Sequence, residues 1–192
     1  MKMGAKIAIA VGIAVAVGVG GFAYRTATQE VVAIEAGQRA PDFTLMAAKA
    51  GQDFSFNLKD ALKQGPVVLY FFPAAFTPGC TVEANLFAEA TDEFASYGAQ
   101  VVGVTAGNID RVQEFSRSEC RDKFAVAADA GAKVAAQYDA TYQVAGKDMM
   151  SSRTSFVIAP DGQILLSHTD KKPQSHISET LAAVKAWKAQ QV

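Results

Sequence analysis

Along the chain, apolar positions fall into short runs and stripes separated by Gly, Pro, Asn and Asp, a pattern that predicts alternating strands and helices. Ala40 to Leu45 reads as a first strand, and Phe54, Phe56 and Leu58 alternate with polar partners as in a half-buried strand. Gly65-Pro66 then interrupts the chain before Val67-Val68-Leu69-Tyr70-Phe71-Phe72. That apolar run is too short for a free helix and suits a strand buried on both faces. After Thr77-Pro78-Gly79, Val82, Leu86, Ala90 and Phe94 recur every four residues, a helical stripe that stops at Gly98. Val101 to Thr105 is a further core strand, and Asn108 or Asp110 can cap a helix running towards Cys120. Phe124 to Ala128 reads as a short strand and Ala130 to Tyr138 as a helix. Thr154 to Ala159 and Gln163 to Thr169 are strands around the turn Pro160-Asp161-Gly162. A last helix from Ser175 to Gln190 would bury Ile177, Leu181 and Val184, with Trp187 on the same stripe. The order β-β-β-α-β-α-β-α-β-β-α predicts an α/β fold in three layers. Its central sheet is mixed, with parallel pairs where strands and helices alternate and an antiparallel edge from the late hairpin.

The N-terminus follows a different pattern. Ile7 to Tyr24 are 18 uncharged, mostly apolar positions; at about 1.5 Å each they reach about 27 Å, close to the ~30 Å hydrocarbon core of a bilayer. The stretch is apolar all round, unlike an amphipathic surface helix. Lys2 and Lys6 precede it and Glu30 and Glu35 follow it, so the positive-inside bias places the chain beyond Arg25 on the exported side. The expectation is a protein of the bacterial cell envelope, on the periplasmic side of the inner membrane or in the periplasm. Residues 1–25 read as an uncleaved signal anchor, the favoured form, or as a cleaved signal peptide with Gly21 and Ala23 near the cleavage site. Residues 26–36 then form a linker and residues 37–192 the folded domain.

Charge narrows the partners. Eighteen basic residues against 19 acidic ones, with no basic stripe, predict no nucleic-acid partner. Two cysteines, Cys80 and Cys120, are too few to staple a mini-domain, and too few for a structural zinc site. His168 and His176 lie near neither cysteine in sequence and read as surface residues. No metal and no cofactor is expected.

Cys80 falls in the first turn of the helix that follows the most hydrophobic strand. Thr77 can serve as N-cap, Pro78 suits the first helical position, and Gly79 lets the backbone approach closely. Unpaired N–H groups and partial positive charge at a helix N-terminus favour thiolate over thiol. In α/β sheets, functional sites lie beyond the carboxyl ends of the parallel strands, where this turn is placed. A small buried hydrophobe is the competing reading of Cys80.

Pro73-Ala74-Ala75-Phe76-Thr77-Pro78-Gly79-Cys80 resembles the signature of the peroxiredoxins: Pro, three residues, Thr, two residues, Cys. The string from Tyr70 to Glu83 is similar to the bacterioferritin-comigratory, or Q-type, branch. Ala40-Pro41-Asp42-Phe43 resembles the family's opening motif, and Arg153-Thr154-Ser155-Phe156-Val157-Ile158 its arginine-bearing strand, so the likeness spans residues 37 to 190. It implies a thioredoxin-like fold and a thiol-dependent peroxidase acting on hydrogen peroxide and organic hydroperoxides in antioxidant defence. Cys80 would attack the peroxide and become a sulfenic acid, with Arg153 stabilising thiolate and leaving oxygen. Thr77 and the backbone near Gly79 would align the peroxide, and Pro73 would shape the pocket. Phe71, Phe72 and Phe76 would be core residues that also wall it. Glu83, one turn beyond Cys80, would either orient an arginine or be a solvated helix residue. Met149-Met150 reads as loop packing.

One departure is plain. Q-type relatives often carry a second cysteine five residues after the first, and here that position is Asn85. Cys120, 40 residues downstream, is the remaining thiol. It would resolve the Cys80 sulfenic acid in an intramolecular disulfide, the favoured reading. Alternatively it is structural while an external thiol does this work, or it pairs between subunits. A thioredoxin-like or other dithiol would supply the electrons, to a monomer or homodimer. The alternative function is a membrane-tethered thiol–disulfide exchange or binding module. It is disfavoured because Thr77 stands where a Cys-x-x-Cys pair needs its first cysteine.

Overall fold

The apolar run beginning at Val67 becomes the strand around which the other elements assemble. The computed structural model describes residues 33–143 and 149–191. In chain order these form β1 (Thr44–Lys49), β2 (Gln52–Asn57), α1 (Leu58–Leu62), β3 (Val67–Ala74), α2 (Pro78–Ser96) and β4 (Gln100–Gly107). After a 3-10 turn at Ile109–Arg111 come α3 (Val112–Ser118), β5 (Ala125–Ala128), α4 (Lys133–Gln137), β6 (Thr141–Gln143) and β7 (Met149–Ser151). The last elements are β8 (Thr154–Ile158), β9 (Ile164–Thr169) and α5 (Pro173–Ala189). Seven strands make one mixed sheet in the order β2-β1-β5-β4-β3-β8-β9, with β6 and β7 a separate ribbon. β3, β4 and β5 are parallel neighbours, whereas β8, β9, β1 and β2 pair antiparallel.

Alternation along β3 divides the core. Val67, Leu69 and Phe71 face a cluster roofed by Leu58 and Leu62 of α1, Val134 and Ala135 of α4, and Tyr138. Val68, Tyr70 and Phe72 face the other layer, where α2, α3 and α5 pack. The expected three-layer mixed α/β arrangement is therefore present. No helix among the described residues is long and apolar enough to cross a membrane, and the segment 7–24 lies outside them.

Several elements differ from the pattern-based reading for identifiable reasons. The first strand starts at Thr44 rather than Ala40. Pro41 has no N–H to give a ladder, and the preceding residues pair elsewhere: Ala40 N–H donates to the Gly162 carbonyl at 2.9 Å. Leu58 opens a short helix instead of ending a strand, because the Asn57 side chain accepts the Asp60 N–H at 2.8 Å and caps it. α4 starts at Lys133, since Gly131 and Ala132 take positive φ; the buried Asp129 carboxylate then accepts the Val134 and Ala135 N–H groups. The chain ahead of Gly37 is already packed, with Ile34 N–H donating to the Tyr138 carbonyl at 3.1 Å.

Both long helices bury a different face from the one their large apolar residues suggest. α2 turns Cys80, Glu83, Ala84, Phe87, Ala88 and Phe94 inward and leaves Val82 43% exposed. A strict four-residue step drifts off a 3.6-residue helix, and a fully buried Glu83 is invisible to any hydrophobic stripe. In α5 the buried line is His176, Thr180 and Val184, with Ile177 and Leu181 only partly covered. His176 is thus not a surface residue: it is fully buried, and His168 on β9 is half-buried. Trp187 is likewise only partly covered.

Candidate active site

β3 delivers the chain to the start of α2 through a turn that holds a strained residue. Phe76 sits at φ +62°, where a bulky side chain is rarely found. Its ring is held edge-on to Phe115, 5.1 Å between centroids, with the Arg111 guanidinium 3.8 Å above its centre. Thr77 takes the extended N-cap conformation, yet its hydroxyl does not cap the helix. It donates to the Ala74 carbonyl at 3.0 Å. Pro78 fills the first helical position, Gly79 the second and Cys80 the third, so the thiol stands among N–H groups that have no partner within the helix. Half-buried Pro73 belongs to β3 just ahead of this turn.

The arginine comes from the far end of the chain. Arg153 lies immediately before β8, the antiparallel neighbour of β3, and that pairing brings it to the α2 N-terminus. Its Nη2 donates to Cys80 Sγ at 3.5 Å, and its Nη1 donates to Glu83 Oε2. Cys80 is 1% exposed and Glu83 fully buried, while the arginine side chain keeps 12% exposure. Gly79 makes room for the guanidinium, because a Cβ there would lie 3.0 Å from Nη2.

Burial pushes the Glu83 carboxyl up to about 8, against the pull of Arg153. Arg153 is itself held above its ordinary value: burial opposes its charge, but Glu83 and Cys80 more than offset that. The result is a fixed positive charge against a sulfur at a helix N-terminus, steadied from behind by a buried carboxyl.

Of the residues picked out in the sequence, Cys80, Arg153, Glu83 and Gly79 converge. Glu83 is no solvated helix residue. Thr77 lies in the adjoining turn and Pro73 in β3 just ahead of it, and Phe76 packs on Phe115 and Arg111. Cys120 lies just past α3, fully buried in the core cluster that contains Cys80, Tyr70, Phe72 and Phe115; both cysteines are free thiols. Burial, and then Glu119, push the Cys120 thiol well up. Asn85 holds this segment against α2, with Nδ2 donating to Glu119 Oε2 at 2.9 Å and Oδ1 accepting from Arg121 Nη2 at 2.7 Å.

Sequence reasoning missed His176 and Ser155. The His176 ring bonds to Ser155 Oγ at 2.8 Å and lies 3.8 Å from Glu83 Oε1. No apolar stripe marks His176, because two of the three residues buried along α5, His176 and Thr180, are polar.

Residues 36–167 match the AhpC/TSA family. Among related proteins, the crystal structure of peroxidoxin BcpB from Mycobacterium tuberculosis superposes with a TM-score of 0.72 at 33% identity, covering 80% of this chain and 97% of that one. A Helicobacter pylori (strain J99) protein named as a peroxiredoxin bcp is 35% identical over 154 residues, 79% of this chain and 98% of its own. The chloroplastic peroxiredoxin Q of Populus jackii is 31% identical over 149 residues, 77% of this chain and 67% of its own. The chain belongs to the AhpC/TSA family, as a peroxiredoxin-type oxidoreductase on a thioredoxin-like α/β fold.

Proposed function

We propose that the protein is a thiol peroxidase in which Cys80 reduces hydrogen peroxide and organic hydroperoxides. The observation that carries this reading is the contact of Arg153 Nη2 with Cys80 Sγ at 3.5 Å, at the N-terminus of α2. The Cys80 thiolate attacks the terminal peroxide oxygen, the S–O bond forms as the O–O bond breaks, and an alkoxide or hydroxide leaves to be protonated to alcohol or water. Arg153 stabilises the thiolate before attack and the charge moving onto the leaving oxygen during it. Thr77, with the free N–H groups at Gly79 and Cys80, aligns the peroxide, while Pro73 and Phe76 limit access to the turn. Treating the reduced protein with one equivalent of peroxide and a sulfenic-acid-selective dione tests this reading. A covalent adduct on Cys80 is the expected product, and an unmodified Cys80 beside consumed peroxide overturns it.

Cys120 is the proposed resolving thiol. It condenses with the sulfenic acid, releasing water and leaving a disulfide that an external dithiol reduces. The shared core cluster supports this, as do two features of the segment. Arg121 and Asp122 both hold positive φ, a conformation that costs non-glycine residues energy. Asn85, Glu89 and Asp92 tie the segment to α2 through Glu119, Arg121 and Lys123, so it must let go of α2 before the sulfurs meet. We further propose an exported location with residues 7–24 in the membrane, supported by the charge bias around that apolar run. Membrane fractionation before and after alkaline carbonate extraction tests it: an anchored protein stays with the lipid, and a cleaved one does not.

A further inference from the structure

Two buried groups beside Cys80 have no part in the reaction above: the second oxygen of Glu83 and the ring of His176. Glu83 engages Arg153 through Oε2, while Oε1 has no hydrogen-bond partner among the described residues. The His176 Nδ1 atom, brought in by α5, faces Oε1 from 3.8 Å. That is too long for a hydrogen bond, but the two groups face each other where both are shut off from water. The imidazole is fixed at both nitrogens, Nε2 against the Asp170 carbonyl at 2.9 Å and Nδ1 against the Ser155 hydroxyl at 2.8 Å. A carbonyl only accepts, so Nε2 carries the ring proton and Nδ1 presents its lone pair. Ser155 Oγ–H donates to that lone pair, which faces the partnerless oxygen of Glu83.

We propose that His176 is a positioning residue for the reaction at Cys80: its Nδ1 lone pair, 3.8 Å from Glu83 Oε1, favours the protonated form of that carboxyl, and the carboxyl proton decides how much of the Arg153 charge is left for the sulfur. With the proton in place, Arg153 meets a neutral carboxyl on one side and acts in full on Cys80. Once it leaves, Arg153 is matched by a carboxylate and its effect on Cys80 weakens. Burial raises Glu83 to about 8 and lowers His176 to about 4, so at neutral pH the ring is neutral and the carboxyl keeps its proton, releasing it in mildly alkaline solution.

The other titratable and charged groups around the pair come from every neighbouring element. Cys80 belongs to α2 itself, Arg153 precedes β8, and Tyr70 comes from β3, its hydroxyl held neutral by burial. His168 of β9 has its ring 4.9 Å from that of His176, and Asp170 lies in the turn before α5. Among these, Arg153 is the one hydrogen-bonded to Glu83.

The inference rests on the thiolate reaction proposed above. It is tested by the pH dependence, from about pH 6 to about pH 10, of the second-order rate constant of the reduced full-length protein with hydrogen peroxide. The wild type is expected to lose rate along a falling limb near pH 8. Glu83→Gln, which cannot ionise, abolishes that limb. His176→Leu removes the lone pair that faces the protonated carboxyl and moves the limb to lower pH by about one unit. Ser155→Ala frees Nδ1 from its competing hydroxyl and moves the limb to higher pH.

Opposite shifts from two neighbouring substitutions are a signature that loss of packing does not produce. An active wild type without a falling limb, a limb unmoved in both variants, or shifts in the same direction overturn the inference and leave the peroxidase reading standing. Should His176→Leu fail to fold, Ser155→Ala decides alone: an upward shift supports the inference, and no shift or a downward one overturns it. A wild type inert towards peroxide overturns the peroxidase reading and this inference together.

Discussion

Glu83 and Arg153, 70 residues apart in the chain, meet in a hydrogen bond whose carboxyl has no access to solvent. Removing one partner of such a pair leaves the other desolvated, which is worse than never having had the pair. Glu83→Ala is therefore expected to lower unfolding stability by about 3 kcal/mol in urea titrations. It should also slow the reaction with peroxide, because Arg153 loses the group that holds it on Cys80. Glu83→Gln, which still accepts from Nη1, should keep most of that stability.

The same pocket gives stability two opposing dependences on pH. Glu83 binds its proton more tightly folded, at about 8, than at its ordinary 4.5, so its contribution is complete below 4.5 and fades as pH rises through 8. His176 is held at about 4 against an ordinary 6.5, so its contribution is complete above 6.5 and is lost as pH falls through 4. His176→Leu should remove the acid-side loss, which for a fully buried ring is about 3 kcal/mol. Urea unfolding of both proteins at neutral and acid pH checks this: the variant's stability should change less than the wild type's.

Gly79→Ala separates chemistry from folding. An added Cβ would stand 3.0 Å from Arg153 Nη2, so the tip of a flexible side chain has to yield while the backbone does not. The helix should be unharmed or steadied by about 0.5–1 kcal/mol. The peroxide rate should fall about tenfold, since a small displacement of a catalytic group is costly. Thermal unfolding and single-turnover kinetics on the same preparation read both effects.

Asn85 joins α2 to the segment that carries Cys120, through Glu119 and Arg121. If that segment must leave α2 to bring Cys120 to Cys80, Asn85→Ala should speed disulfide formation after peroxide without changing the first step. Rapid quenching followed by intact mass measurement follows the loss of two hydrogens with time. An unchanged rate removes Asn85 from the recycling step, and a lasting gain of one oxygen in both proteins argues against Cys120 as the resolving thiol.

Much of this site could be read from the sequence because its core is local. Thr77, Pro78, Gly79 and Cys80 are consecutive, and helix-start chemistry places them on any backbone that follows a buried strand with a helix. Arg153 was legible through family likeness, not through periodicity. What stayed hidden depends on long-range pairing. A glutamate in a helix reads as solvated until β8 brings an arginine to meet it. His176 read as surface because Ile177 and Leu181 drew the apolar stripe of α5 one residue past the face that packs on β8 and β9. Short elements such as α1 and the β6–β7 ribbon were hidden for another reason, since three to five residues are too few to show a period.

The central claim, that Cys80 is the group that attacks peroxide, is tested most directly by peroxide consumption in three reduced proteins: wild type, Cys80→Ser and Cys120→Ser. The wild type and Cys120→Ser should each consume peroxide stoichiometrically in the first turnover, and Cys80→Ser should consume none above the rate of the free reagent. Undiminished consumption by Cys80→Ser would contradict the account.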